Sequence, residues 1–143
     1  MTAEFSLAVH ALTYLDAQKR SLTSEELAVN ICTNPARVRK VMRGLKAAGL
    51  VKTHEGTGGG YELARNAAGI TLKDVAEAQD TSFVSASWRS GDVDMDCAVA
   101  SGIADVMDNI YGNMNRECLE MLSGITIDSI CKKLVGTVPT GTN

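Results

Sequence analysis

Between Asn34 and Arg65 the chain reads NPARVRKVMRGLKAAGLVKTHEGTGGGYELAR, and no other stretch restricts the fold as much. Val38, Val41, Met42 and Leu45 recur at helical spacing and form one apolar stripe, while Arg37, Arg39, Lys40, Arg43 and Lys46 point elsewhere. Pro35 suits a first helical turn, where its missing N–H needs no partner. Gly49, after Ala47 and Ala48, is a natural C-cap. A short apolar strand at Leu50-Val51 follows, then a charged tip, four glycines between Gly56 and Gly60, and a return strand at Tyr61-Glu62-Leu63. A helix followed at once by a glycine-tipped hairpin is the shape of a winged helix. From Asn34 to His54 there are six Lys or Arg and no Asp or Glu, which is what a surface facing phosphates requires.

A solvated helix with surplus positive charge would account for the helical part alone. Two features favour nucleic acid instead. Acids are absent over a whole helix and turn in a chain of formal net charge -3, and the hairpin follows at the spacing of a wing. The glycines do not form a nucleotide-cradling loop, because the run is not GxxxxGK[ST] and no helix pattern opens straight behind it.

A length of 143 residues suits one domain with its own core plus an appended element. No apolar run approaches the roughly 20 residues of a membrane span. The opening MTAEFSLAVHAL is amphipathic rather than a secretory leader, so a cytoplasmic protein with no membrane partner is expected. The six aromatic residues argue against stacking platforms for single-stranded nucleic acid. Residues 1–65 carry nine Lys or Arg against six Asp or Glu, and residues 66–143 carry five against eleven. A basic front and an acidic back suggest one face for nucleic acid and another for something else.

Cys32, Cys97, Cys118 and Cys131 are scattered, form no CxxC pair and stand apart from His10 and His54, so no zinc site is expected. Reduced, mostly buried thiols are the expectation in a cytosolic chain. No Ser/His/Asp or Cys/His set stands at a suggestive spacing, and an enzyme is not expected.

In chain order, residues 4–18 form a first helix with Phe5, Leu7, Ala8, Ala11, Leu12 and Leu15 on its apolar face. A second helix starts at residues 21–28, with Thr23 or Ser24 as N-cap and Glu26 placed to complete a capping box with Thr23. Residues 31–34 turn tightly into the basic helix, giving helix-turn-helix geometry. Beyond the wing, Thr71 caps another helix with Asp74 at its third position and Leu72, Val75 and Ala76 facing inward. Residues 80–96 have the composition of a loop. Their acidic end, Asp92, Asp94 and Asp96, lacks the glycine and distant glutamate of a calcium-binding EF-hand.

The longest helical pattern spans 98–122. Val99, Ile103, Val106, Ile110, Met114, Cys118 and Met121 step by three or four, and Met107, Tyr111 and Leu122 widen the stripe. So wide an apolar face needs a partner, most simply its own copy in a second subunit, although packing against its own domain is the other solution. Thr126 to Leu134 forms a last short helix.

The run LKAAGLVKTHEGTGGGYELARNAAGITLKDVAEA resembles the signature of the Rrf-two family of bacterial regulators, with GxGGGYxLA its most specific part. The resemblance extends upstream through FSLAVHALTYL and LTSEELA and downstream to the final TIDSIC helix, nearly the whole chain. It implies a homodimeric winged helix-turn-helix repressor or activator on an imperfect palindrome of double-stranded DNA. Carried over, Asn34, Pro35, Arg37, Arg39, Lys40 and Arg43 are recognition-helix positions, and Thr57, Gly58 and Gly59 form the wing tip. Ser24 and Lys52 complete the candidate DNA-contacting set, Lys52 as a phosphate contact common to all duplexes.

Cluster-binding members of that family carry three closely spaced cysteines before the dimer helix. Here only Cys97 stands there, with Cys118 21 residues further on, so an iron-sulfur cofactor does not carry over. The run Cys97-Ala98-Val99-Ala100 resembles the single-cysteine start of that helix in cluster-free members. Cys97 is therefore the candidate redox sensor. A helix N-terminus would lower its pKa, Asp92, Asp94 and Asp96 would raise it, and sequence leaves the sign open.

The expected architecture is mainly α with a small β wing. Residues 1–80 form a winged helix-turn-helix DNA-binding domain and 81–97 a flexible loop. Residues 98–135 hold a long dimerisation helix and a closing helix, and 136–143 a disordered tail. The expected function is a sequence-specific transcriptional repressor acting as a homodimer, with its effector unknown. The alternative, from another class, is a protein-interaction module whose basic face binds an acidic partner.

Overall fold

The structure, a computed structural model, describes residues 2–57 and 59–136. Gly58, expected at the wing tip, and residues 137–143 of the expected tail lie outside the described residues. The elements in order are α1 (Thr2–Gln18), α2 (Ser24–Ile31), α3 (Pro35–Ala47), β1 (Val51–His54), β2 (Gly60–Leu63), α4 (Leu72–Ala78), α5 (Ala98–Leu122) and α6 (Ile127–Val135), with a 3-10 turn at Ala67–Gly69.

The helix starts are fixed locally. Thr23, Thr71 and Thr126 each accept the N–H of the third helical residue, while Glu26, Asp74 and Ser129 reach back to the capping residue's own N–H. Each reciprocal cap satisfies two donors that the helix cannot, and losing a capping side chain typically costs about 1 kcal/mol.

Amphipathic faces then assemble the core. Leu7, Ala8, Ala11, Leu12 and Leu15 of α1 are buried together with Val38, Val41, Met42 and Leu45 of α3 and Val75 and Ala76 of α4. Each fully buried aliphatic side chain contributes about 1.5–3 kcal/mol. Helix α6 folds back against α1, burying Ile127 and Cys131. Its approach is pinned where Leu72 N–H bonds Ile125 O at 2.8 Å and Ile127 N–H bonds Ile70 O at 3.0 Å.

The two strands pair antiparallel, Val51 with Leu63, Lys52 with Glu62, Thr53 with Tyr61 and His54 with Gly60. The α1–α2 connection adds a short third rung, since Leu22 and Tyr61 exchange backbone hydrogen bonds at 2.8 and 2.9 Å. Gly60 permits this approach: its φ is 153°, and a methyl group there would lie 2.4 Å from the Leu22 carbonyl oxygen.

Helix α5 stands apart. At 1.5 Å per residue its 25 residues extend about 37 Å. Leu122 is its one buried residue, and Leu119 packs beside the core. The 81–97 segment, expected to be a flexible loop, has no helix or strand but is strapped along α5. Asn115 Oδ1 accepts the N–H groups of Phe83 and Val84, both at 2.9 Å. Arg89 pairs with Asp105 at 3.3 Å and also with Asp108. Asp92 N–H bonds Ala100 O at 2.9 Å. Phe83 meets Phe5 of α1 edge-on, with ring centroids 5.1 Å apart.

Gly60→Ala forces the wing off Leu22, and a loss of about 1–3 kcal/mol is expected. Gly69→Ala, with open space where the methyl would stand, is expected to change stability by less than about 0.5 kcal/mol. Denaturant unfolding of the two variants checks the contrast.

Candidate nucleic-acid interface

Helix α3 begins where the Asn34 side chain accepts the Arg37 N–H at 2.8 Å, with Pro35 in its first turn. Asn34 therefore has an architectural task besides any contact with DNA. The helix ends at Ala48, after which Gly49 turns left-handed at φ 76°. Gly49 N–H bonds Lys46 O at 3.0 Å and Leu50 N–H bonds Leu45 O at 2.9 Å, a Schellman closure that sets the wing's departure from α3. Behind α3, Gln79 donates to the Val41 carbonyl at 3.0 Å, and Gly44 leaves room for the Ala78 carbonyl of α4.

With its stripe buried, α3 presents Arg37, Arg39, Lys40, Arg43 and Lys46 to solvent. At about 100° per residue, Lys40 and Arg43 stand opposite the buried stripe, Arg37 on one flank and Lys46 on the other. Arg37, Lys40 and Arg43 have no acidic partner among the described residues. Arg39 differs: Nη1 donates to Ser24 Oγ at 3.2 Å and lies 3.9 Å from Glu25 Oε1. Lys46 Nζ donates to Thr53 Oγ1 at 3.2 Å, tying α3 to β1.

Ser24, the other candidate on this side, opens α2. It is 8% exposed, and its hydroxyl meets Arg39 and Glu25. From the start of α2 it holds the Arg39 guanidinium in place. Lys52 is exposed but occupied, 3.1 Å from Glu62 Oε1, and His54 Nε2 lies 2.7 Å from the same oxygen. His54 first, then Lys52, hold the Glu62 carboxyl below the usual carboxylate range. Thr57 is exposed at the described part of the tip and Gly59 closes the hairpin, its N–H bonding Gly56 O at 2.9 Å. Glu25, Thr53 and Glu62 were not among the sequence candidates. For Glu62, the two-strand register placing it opposite Lys52 was the available signal.

The sequence profile of the Rrf2 family, described as iron-dependent transcriptional regulators, matches residues 1–133. The chain belongs to this family. It is a DNA-binding transcription regulator and not an enzyme. Protein aau3 of Rhizobium meliloti (strain 1021) is 30% identical over 134 residues, 92% of this chain and 84% of that protein. YwgB of Bacillus subtilis (strain 168), a proposed HTH-type transcriptional regulator, is 43% identical over 58 residues, 41% of this chain and 37% of that protein. Among solved structures, a proposed transcriptional regulator from Lactobacillus plantarum superposes with TM-score 0.80 at 24% identity, covering 96% of this chain and 93% of that one. T. potens IscR gives 0.69 at 19% identity, covering 99% and 93%, and CymR of B. subtilis gives 0.66 at 16%, covering 93% and 96%. These likenesses show the winged-helix fold.

The Rrf2 description raises the question of iron. Cys97 and Cys118 stand at opposite reaches of α5, roughly 30 Å apart at 1.5 Å per residue. Cys131 is buried and Cys32 exposed beyond α2. Among the described residues no three His, Cys, Asp or Glu side chains gather where they could hold a metal. The donors of one chain therefore do not fit an iron centre. No helix among the described residues is long and apolar enough to cross a membrane.

Cys97 is the exposed N-cap residue of α5. Its sulfur makes no capping hydrogen bond of normal geometry, yet the N–H groups of Ala100 and Val99 pull its pKa below that of an ordinary thiol. The shift therefore comes from the helix start. Burial, followed by contact with Asp16, pushes Cys131 the other way. Because thiolate is the reactive form, Cys97 is expected to alkylate first, with its rate rising at lower pH than that of Cys131. Mass-mapped iodoacetamide labelling of the native protein across pH 6–9 checks this, and equal rates at the two sites would contradict it.

Proposed function

We propose that the protein is a homodimeric repressor that lays α3 of each subunit in successive major grooves of an imperfect palindrome. The observation that carries the dimer is the unpartnered face of α5. In a single copy Val99 is 72% exposed, Val106 53% and Met121 63%, with Ile110 and Met114 also open and Ile103 and Cys118 half-buried. An apolar ridge of this length on a soluble chain calls for a matching surface, and a two-fold axis supplies an identical one. Pairing through α5 would hold two recognition helices at a fixed separation, which a palindrome with half-sites about 34 Å apart requires.

On this reading Arg43, opposite the buried stripe and without an acidic partner, reads a base edge, and guanine suits its forked donors. Arg39 arrives pre-oriented by Ser24. The repressor works in the cytoplasm, with Cys97 as its thiol input. Selection from a random duplex library with purified protein, run reduced and oxidised, tests operator and signal together. An enriched palindrome that weakens on oxidation supports both, and no enrichment in either state defeats the reading.

Arg43→Ala is expected to lose about 1–3 kcal/mol on the selected site and far less on random duplex. Ile110→Glu places a charge in the α5 interface, and sedimentation is expected to show monomers with operator binding lost. A folded wild-type monomer at micromolar concentration would remove the dimer.

A further inference from the structure

The wing carries charges that attraction to a duplex does not call for. Residues 51–63 hold one lysine, Lys52, against two glutamates, Glu55 and Glu62, so acids outnumber lysine on the hairpin beside a recognition helix with no acids. The geometry sharpens the imbalance. Lys52 and Glu62 are direct cross-strand partners, and Nζ lies 3.1 Å from Oε1. His54, two residues along and therefore on the same face, lies 2.7 Å from that oxygen. Ser21, beside the Leu22 rung, donates to Glu62 Oε2 at 3.4 Å. Glu55 is exposed at the turn into the tip and has no hydrogen bond or ion pair among the described residues.

We propose that Glu62 and Glu55 are specificity-determining residues that strip the wing of sequence-independent attraction to phosphate. The inference rests on this face binding DNA. Non-specific affinity is almost wholly electrostatic, each neutralised phosphate adding about 0.9 to the log–log salt slope. A phosphate approaching Lys52 competes with Glu62 for the ammonium and comes to lie beside that carboxylate, and Glu55 repels the backbone without any compensating partner. The wing then adheres only where its N–H and hydroxyl groups meet matching acceptors in the groove. Penalising every wrong duplex in this way widens the gap between operator and bulk DNA, and specificity is that gap. Lys52 is thereby reassigned from a general phosphate contact to the neutralised half of a pair.

The experiment measures affinity of the full chain for its selected site and for a random duplex of equal length over a range of salt. Glu62→Gln keeps the shape and the Ser21 contact while removing the charge. It is expected to tighten the random duplex several-fold, steepen its salt slope by about 1, and narrow the ratio of selected to random affinity. Lys52→Ala is expected to leave the wild-type slope almost unchanged, and to flatten it by about 1 when made in the Glu62→Gln background. Glu55→Gln, which disturbs no strand contact, gives the same tightening without relying on the strand pair to refold. The proposal is overturned if both glutamine variants bind random duplex no more tightly than wild type, or if Lys52→Ala flattens the slope equally in both backgrounds. A wild-type protein that selects a site while both variants behave like it overturns this inference alone. A wild-type protein that binds no duplex overturns the DNA reading as well.

Discussion

Two backbone hydrogen bonds between Leu22 and Tyr61 hold the surface formed by α3 and the wing in one piece. They join the α1–α2 connection to the second wing strand, and so tie the wing to the support beneath α3. Gly60 makes the contact possible because no side chain could occupy the space where its Cβ would be. The Schellman turn at Gly49 fixes the other end of the hairpin. Between these two anchors the wing has little freedom to rotate, and the contact of Lys46 with Thr53 closes the remaining gap.

The features legible in the sequence were the local ones. Capping boxes lie within four residues, and the stripes of α3 and α5 repeat within one turn, so spacing alone places Thr23 with Glu26 and bounds α5 at Ala98–Leu122. The candidate site was legible in outline: Arg37, Lys40 and Arg43 face solvent as the pattern requires. What spacing could not reveal depends on chain segments far apart. The partner of Arg39 is 15 residues away on another helix. Asn115 grips Phe83 and Val84 across 32 and 31 residues. A serine-rich stretch therefore reads as slack chain in the sequence and is found strapped down in the fold. The choice between Thr23 and Ser24 as N-cap was also left open by the sequence, and the fold assigns the cap to Thr23 while Ser24 meets Arg39.

Charge is partitioned along the molecule with a similar logic. Cations concentrate on α3, where the buried stripe leaves no room for them inward, and acids gather on the strap and α5, where Arg89 answers Asp105 and Asp108. The wing lies between these regimes and belongs to neither, since its lysine is matched by a glutamate across the ladder. A net charge of -3 therefore says little about what one face attracts.

Helix α5 is a rod of about 37 Å seated in the core only near Leu119 and Leu122. Mechanically it is a lever with its fulcrum at the C-terminal end. A tilt of about 5° at that seat carries the far end near Cys97 through about 3 Å, given the rise of 1.5 Å per residue. Conversely, a small displacement at the far end arrives at the fulcrum as almost pure rotation. The strap from Phe83 to Asp92 runs beside the lever and touches it at Asn115, Asp108, Asp105 and Ala100. Its bonds brace the arm along its length, and the Phe83–Phe5 contact joins the strap to α1, on which α3 is packed.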